Sequence, residues 1–443
     1  MIVKFATTLL VILIRGCASY AQSFNKAKLD SFFVALSVHD QNMGSLAIAN
    51  NGIIVYHNAI GYSQLSANAK VPATIKTKYR IGSVSKMFTG TMIFQLIEEK
   101  KLSLTTTLAT YFPQLPDADK ITIAEMLNHH SGLHNLTDDP LYATYFGRQM
   151  SEDELIAIIA KQKPDFEPGT KVSYSNTNFI LLGYIIEKIT GESYAEELRK
   201  RITSKIGLVD TYYGSKTNSL NGEAYSYTYN SQWAQMPETD MSIPGGAGAI
   251  VSTPTDLVKF IDALFAGKLI STASLTYMEK LENNYGMAMF VIPFYDKKGY
   301  GHTGGIDGFS SLLIYFPVDK LAIAYISNGV VYTTNDVIIA ALSIYFNKPF
   351  TIPDFKNIIL NTADLDKYLG IYSSTQIPLK ITISKNNTTL IAQASIQPAF
   401  PLDAKGGDKF IFSQAGIVIQ FDPTKKIFTL MQGGRNYLFT KTE

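Results

Sequence analysis

The stretch MFTGTMIFQLI, residues 87–97, constrains this chain more than any other. Met87, Phe88, Met92, Ile93, Phe94, Leu96 and Ile97 point in nearly all directions around a 3.6-residue helical repeat. A helix that is apolar all round is a buried one, so other layers must cover it on every side. The chain can supply them, with 443 residues, 46% hydrophobic and 17% charged. That length suggests two or three domains. The head of the same helix reads YRIGSVSKMFTG (79–90), which sets Lys86 one turn after Ser83. A lysine at the mouth of a buried helix asks for a reason.

Around this helix the pattern mixes strands and helices. Residues 25–38 read as an amphipathic helix. SLAIANNGIIVYHNAIGYS (45–63) reads as two strands about an Asn-Asn-Gly turn. The segment 103–265 is mostly helical with polar loops, and 177–202 is its clearest element. In 244–265 a Gly-rich turn leads to a helix with Ser252 to Asp256 in a capping arrangement. Strands are expected at 285–292, 299–304, 309–316 and 320–327, then a helix at 335–346. Strands from both ends of 40–346 with helices between them predict one α/β (α+β) domain. Its antiparallel sheet is flanked by helices and joined to a helical lobe. After Pro349 the composition changes. Residues 348–365 read as a linker with a helical turn. Residues 366–443, with LKITISKNN and KFIFSQAGIVIQFDPTKKIFTLM, read as a small antiparallel β-barrel.

Residues 1–21 read as a signal peptide. Lys4 precedes an apolar run at 5–14 that is too short to span a bilayer, and Ser19 and Ala21 give a small-x-small cleavage pattern before Gln22. A lipid anchor at Cys17 is the lesser alternative, because Arg15 precedes Gly16-Cys17. Either route predicts an exported protein, periplasmic or secreted. After cleavage before Gln22 no cysteine remains, which excludes thiolate chemistry. Loss of Lys4 and Arg15 lowers the basic count from 39 to 37, equal to the 37 acidic residues. A neutral chain gives no electrostatic case for nucleic acid or an anionic membrane. No later apolar stretch is long enough for a transmembrane helix.

Three segments carry chemistry. A serine hydroxyl needs a base within hydrogen-bond reach to become a nucleophile. At i, i+3 on a helix, Lys86 shares a face with Ser83, and burial lowers a lysine's pKa toward a neutral amine. Ser83 also sits at a helix N-terminus, which favours developing negative charge. Spacing alone says little, since Ser23-x-x-Lys26 shares it. The second segment, EPGTKVSYSNTNFILLGYII (167–186), holds Tyr174 and Asn176. A tyrosine of depressed pKa beside a lysine can pass protons, and an asparagine amide can orient a carbonyl. The third, GYGHTGGIDGFSS (299–311), puts His302, Thr303, Gly304 and Gly305 on a strand. Its glycines admit close backbone approach, and a backbone N–H there can join that of Ser83 in an oxyanion hole. His129, His130 and His134, near Asp138 and Asp139, lack the spacing of a zinc site, so no metal or other cofactor is expected. The tyrosines from Tyr212 to Tyr229, with Trp233, fit groove lining and plain packing equally.

Taken in order, Ser83-x-x-Lys86, Tyr174-x-Asn176 and His302-Thr303-Gly304 resemble the three motifs of the penicillin-recognising serine hydrolases. These include class C β-lactamases, D-alanyl-D-alanine carboxypeptidases, D-aminopeptidases and related esterases. MLNHHSGLHNL (126–136) and GAIVSTPTDLVKF (248–260) are similar to flanking segments of the group, and the likeness spans roughly 25–347. It implies a hydrolase domain over 22–347. Ser83 would be acylated, Lys86 and Tyr174 would share acid and base duties, and Asn176, His302, Thr303 and Gly304 would hold substrate. The N–H groups of Ser83 and Gly305 would form the oxyanion hole. Many members carry lysine where this chain has His302, and a largely neutral histidine holds a carboxylate less well. The implied activity is therefore cleavage of small esters or amides, such as D-amino-acid peptides. A class C-like β-lactamase and a catalytically silent penicillin-binding or sensing module are the alternatives. The tail resembles the lipocalin-like domains appended to some of these peptidases.

Overall fold

The computed structural model describes residues 24–443 apart from 67–68, 231, 283–284, 356–359, 396, 413–414 and 433–434. The expected signal peptide, its cleavage point and Cys17 lie outside the described residues. At the centre is an antiparallel sheet built from both ends of the first 346 residues. Its strands run in the order Phe290–Phe294, Lys297–Ile306, Phe309–Phe316, Leu321–Val330, Asn42–Asn50 and Ile53–Ile60. A further pair, Tyr227–Asn230 and Gln232–Gln235, joins through Gly329.

The strand residues alternate between two cores, as a period of two demands. Leu46, Ile48, Leu312, Ile314, Ile323 and Tyr325 face a layer formed by the helices Lys26–Val38 and Thr334–Tyr345. Ala47, Ala49, Leu313, Ala322, Ala324 and Ile326 face the helical lobe. Small residues predominate on this second face, where the helix Pro254–Phe265 packs. The Asn-Asn-Gly turn forms as read, with φ of 51° at Asn51 and 75° at Gly52. Positive φ at both positions is what a two-residue type I′ hairpin requires. The helix Ser85–Glu98 is buried at every position from Ser85 to Leu96. Phe88 stacks on Phe260 with ring centroids 3.7 Å apart.

Local signals shift some boundaries. The segment 177–202 is not one element. The helix Asn176–Thr190 stops at Gly191 (φ 73°), and Ser193 caps a new helix, Tyr194–Leu198. The cap of Pro254–Phe265 is Thr253, one residue beyond Ser252, with its side chain accepting from the Asp256 N–H. The strand expected from 285 begins at Phe290. The helical lobe also contains a short sheet of Tyr79–Arg80, Ile250–Ser252 and Tyr212–Tyr213.

The C-terminal strands, from Gly370–Ser373 to Arg435–Lys441, close into an eight-stranded antiparallel barrel. Leu365 and Tyr368, from the 3-10 turn Thr362–Tyr368, pack into its core. In the preceding segment, Phe350, Ile352 and Phe355 pack on the outer core of the first domain, so this stretch is docked along part of its length.

Candidate active site

The site forms where the strand Lys297–Ile306 presses against the turn Gly82–Val84. Two glycines make that approach possible. Gly82 has φ 50°, and a Cβ there would lie 2.8 Å from the Gly305 carbonyl oxygen. A Cβ on Gly304 would collide with the Ile81 carbonyl oxygen and with Ser311 Oγ. That hydroxyl instead donates to Ile81 O at 2.8 Å, tying strand to turn. Gly305 and Ser83 then line one cavity.

Lys86 is fully buried beneath Ser83. Its Nζ lies 3.0 Å from Ser83 Oγ, 2.7 Å from Asn176 Oδ1 and 2.9 Å from the Ala247 carbonyl oxygen. Burial holds its pKa well below the usual lysine range, because the charged form loses hydration. The rings of Tyr174 and Phe179, at 5.0 and 5.5 Å, attract a cation. Such contacts are worth about 0.5–2 kcal/mol, too little to offset the burial of a charge. Asn176 is itself held in place. Asn135 Oδ1 accepts from its backbone N–H at 2.9 Å and from its Nδ2 at 3.2 Å, so Oδ1 is turned toward Lys86.

Tyr174 departs from expectation. Its pKa is raised, not depressed: burial favours the neutral phenol, and a hydrogen bond with Ser83 offsets this only in part. His129 (φ 65°) stacks on Tyr174 with centroids 4.4 Å apart. Its Nδ1 accepts from the Ser175 N–H at 3.1 Å, so the neutral ring carries its proton on Nε2. His130 Nδ1 donates to Asn128 O, and His134 pairs with Asp165 on the surface.

His302 also departs from expectation. The strand's alternation turns its ring inward, where it is 1% exposed and packs against Phe290. Burial and the nearby Lys86 push its pKa down to about 3. Nδ1 donates to Thr303 O, while Nε2 is buried with no partner among the described residues. Gly305 lines the cavity, while along the same strand the His302 side chain is buried and Thr303 is exposed. The His302 ring supports Tyr174 from behind, with centroids 6.2 Å apart.

The cavity measures about 180 Å³ and is walled by Leu136, Tyr142, Ile180, Ile243, Ala247 and Ile306. No lysine or arginine is among its lining residues. Asp307 borders it, but its carboxylate accepts from Arg80 Nη1 at 2.9 Å and from Thr239 N and Oγ1 at 2.8 and 2.7 Å. The sequence reading missed Asn135, the Ala247 carbonyl and Tyr142. The first two lie in segments already singled out, HHSGLHNL and the Gly-rich turn. Tyr142 comes from a four-residue helix in a polar loop, where periodicity carries no signal. Of the tyrosines of 212–229, Tyr212 donates to Glu223 and Tyr213 to Met241 O, whereas Tyr229 meets Trp233 on an exposed strand.

A serine hydroxyl held against a buried amine and a protonated tyrosine is an arrangement suited to acyl transfer. The family model described as Beta-lactamase matches residues 37–343, and the chain belongs to that family. It is a serine hydrolase. It is 27% identical to penicillin-binding protein 4* of Bacillus subtilis (strain 168), over 93% of this chain and 97% of the relative. It is 28% identical to a teichoic acid D-alanine hydrolase of Staphylococcus aureus (strain MRSA252), over 52% of this chain and 55% of the relative. The D-amino acid amidase of Ochrobactrum anthropi SV3 superposes with a TM-score of 0.63 at 26% identity, covering 72% of this chain and 99% of the amidase.

Proposed function

We propose that Ser83 is the nucleophile, that neutral Lys86 is its base, and that the substrate is a small ester or amide of a D-amino acid. The observation that carries this is the hydrogen inventory at Lys86. A neutral amine has two N–H bonds and one lone pair. Asn176 Oδ1 and Ala247 O can only accept, so they take both N–H bonds. The lone pair is left for the third neighbour, the Ser83 hydroxyl at 3.0 Å. In the reaction Ser83 Oγ attacks the substrate carbonyl and its proton passes to Lys86. The N–H groups of Ser83 and Gly305 stabilise the oxyanion. Tyr174, kept protonated by burial, gives its proton to the leaving amine or alcohol and recovers one from Lys86. Water then cleaves the acyl-enzyme by the reverse proton path.

The cavity supports the substrate class. A carboxylate on the substrate finds no lysine or arginine along its lining. The neutral, inward His302 offers no replacement. An amide or ester without a free carboxylate suits this wall better than a penicillin does. The D-amino acid amidase and D-alanine hydrolase relatives point the same way. We further propose that the chain is exported after cleavage before Gln22, and that 348–365 links the hydrolase domain to a 366–443 barrel domain.

Intact mass after treatment with a fluorophosphonate tests the mechanism. The wild type gains one adduct and Ser83→Ala gains none; an equal adduct on both would refute Ser83 as nucleophile. Turnover of a D-alanine aryl ester, a D-alanine anilide and a chromogenic cephalosporin tests the substrate class. Cephalosporin turnover faster than that of both alanine derivatives would replace this reading with a β-lactamase.

A further inference from the structure

The cavity beside Ser83 is small for its family of tasks. Sites that enclose drug-sized ligands run to roughly 300–1,000 Å³, whereas a cavity of about 150 Å³ holds one benzene. At about 180 Å³, and open on one side, this one has room within its walls for a single compact group. Its wall is mostly apolar, and the one carboxylate beside it is already taken by Arg80 and Thr239.

The residues of that wall differ in kind. Leu136, Ile180 and Ile243 are core residues, each at most 2% exposed. Tyr142 is only half-buried and stands on the short surface helix Tyr142–Tyr145. Asp139 anchors that helix, accepting from the Leu141 N–H at 2.9 Å and from the Tyr145 hydroxyl at 3.1 Å. The loop carrying Thr239 and Ile243 is bound to the same segment. Asp240 N donates to Phe146 O at 2.8 Å, and Met150 N donates to Ser242 Oγ at 2.9 Å. The two loops therefore meet over the cavity, with the Tyr142 ring resting on Tyr145 and Phe146.

The geometry points to a pocket that takes the side chain of the acyl group, admits one small apolar group and has its size limit set by Tyr142. This rests on the proposed Ser83 mechanism and goes beyond it by assigning the apolar side chain of the substrate's acyl part to this cavity. Acyl groups up to the size of benzoyl enter, and larger ones are excluded by the phenol ring. Truncating Tyr142 opens the pocket toward solvent and leaves the core walls in place.

Aryl esters with one common leaving group and acetyl, butyryl, benzoyl and 4-phenylbenzoyl acyl groups test this. In the wild type kcat/KM falls at least about tenfold from benzoyl to 4-phenylbenzoyl, the scale set by misfit in an apolar pocket. Tyr142→Ala reduces that ratio by about tenfold or more, and Tyr142→Phe, which keeps the ring, leaves it as in the wild type. A small alkyl fluorophosphonate is applied to all three proteins in parallel. Labelling of all three with a ratio unmoved by Tyr142→Ala overturns the acyl pocket alone. Failure to label the wild type overturns the serine mechanism and the pocket with it. A ratio shifted equally by Tyr142→Phe assigns selectivity to the hydroxyl and overturns the size limit.

Discussion

The catalytic sheet and the C-terminal barrel use the same antiparallel ladder to opposite ends. Inside the barrel, Phe410, Phe421, Phe428, Phe439, Tyr368 and Tyr372 fill the interior, and Phe428 stacks on Phe439 at 4.8 Å. Along Lys297–Ile306 the chain gives up side chains at Gly301, Gly304 and Gly305, and its backbone closes onto the nucleophile turn. One interior is filled to hold a shape. The other edge is stripped so that N–H groups and a carbonyl oxygen do the positioning. Burial serves stability in the first and sets protonation states in the second.

This contrast can be broken from either side. Gly304→Val puts a branched side chain into Ile81 O and Ser311 Oγ. It should lower the rate of Ser83 acylation by about a hundred- to a thousandfold, as expected for a displaced oxyanion donor; stopped assays with an aryl ester measure it. Phe428→Ala should destabilise the barrel by about 3–5 kcal/mol, seen in denaturant unfolding, while kcat/KM stays within about twofold. Lost activity there would show that the barrel shapes the site.

A pH test sharpens the comparison with a smaller effect. The folded pKa of His302, about 3, lies below its ordinary value of 6.5. Below 6.5 the unfolded chain takes up a proton that the folded chain refuses, so stability falls as pH drops through the window from 6.5 toward 3. At pH 5 the loss from this one group is about 2 kcal/mol. His129, depressed in the same direction, adds to it. Unfolding at pH 5 and at neutral pH measures the difference, and His302→Gln should flatten it. An unchanged slope in that variant would mean that His302 is not held neutral.

Much of this was legible in the chain. The all-round apolar helix, the Asn-Asn-Gly hairpin and the strands from both ends required a buried centre and a shared sheet. Ser83, Lys86, Tyr174 and Asn176 could be picked out because each sits at a change of pattern, from strand or turn to apolar helix. What escaped were properties set by three-dimensional neighbours. Tyr174 was expected to be acidified by a nearby lysine. The same burial that lowers the Lys86 pKa raises that of Tyr174 and favours the neutral phenol. His302 was assigned to substrate through a resemblance, yet its parity on the strand turns it inward while Thr303 faces out. Tyr142 reaches the cavity through a loop held by Asp139, a contact that no periodicity announces.

The central claim is that Lys86 works as a buried neutral amine. The pH dependence of the Ser83 acylation rate tests it most directly, read with a fluorophosphonate on the wild type and on Lys86→Arg. A base with its pKa held down by burial gives a rate that rises and levels off well below 10.5, the ordinary lysine value. The arginine variant, which is always charged and cannot give up its proton, should be acylated at least about a hundredfold more slowly at every pH. A wild-type rate that keeps climbing through 10.5, or an arginine variant as fast as the wild type, would contradict the account.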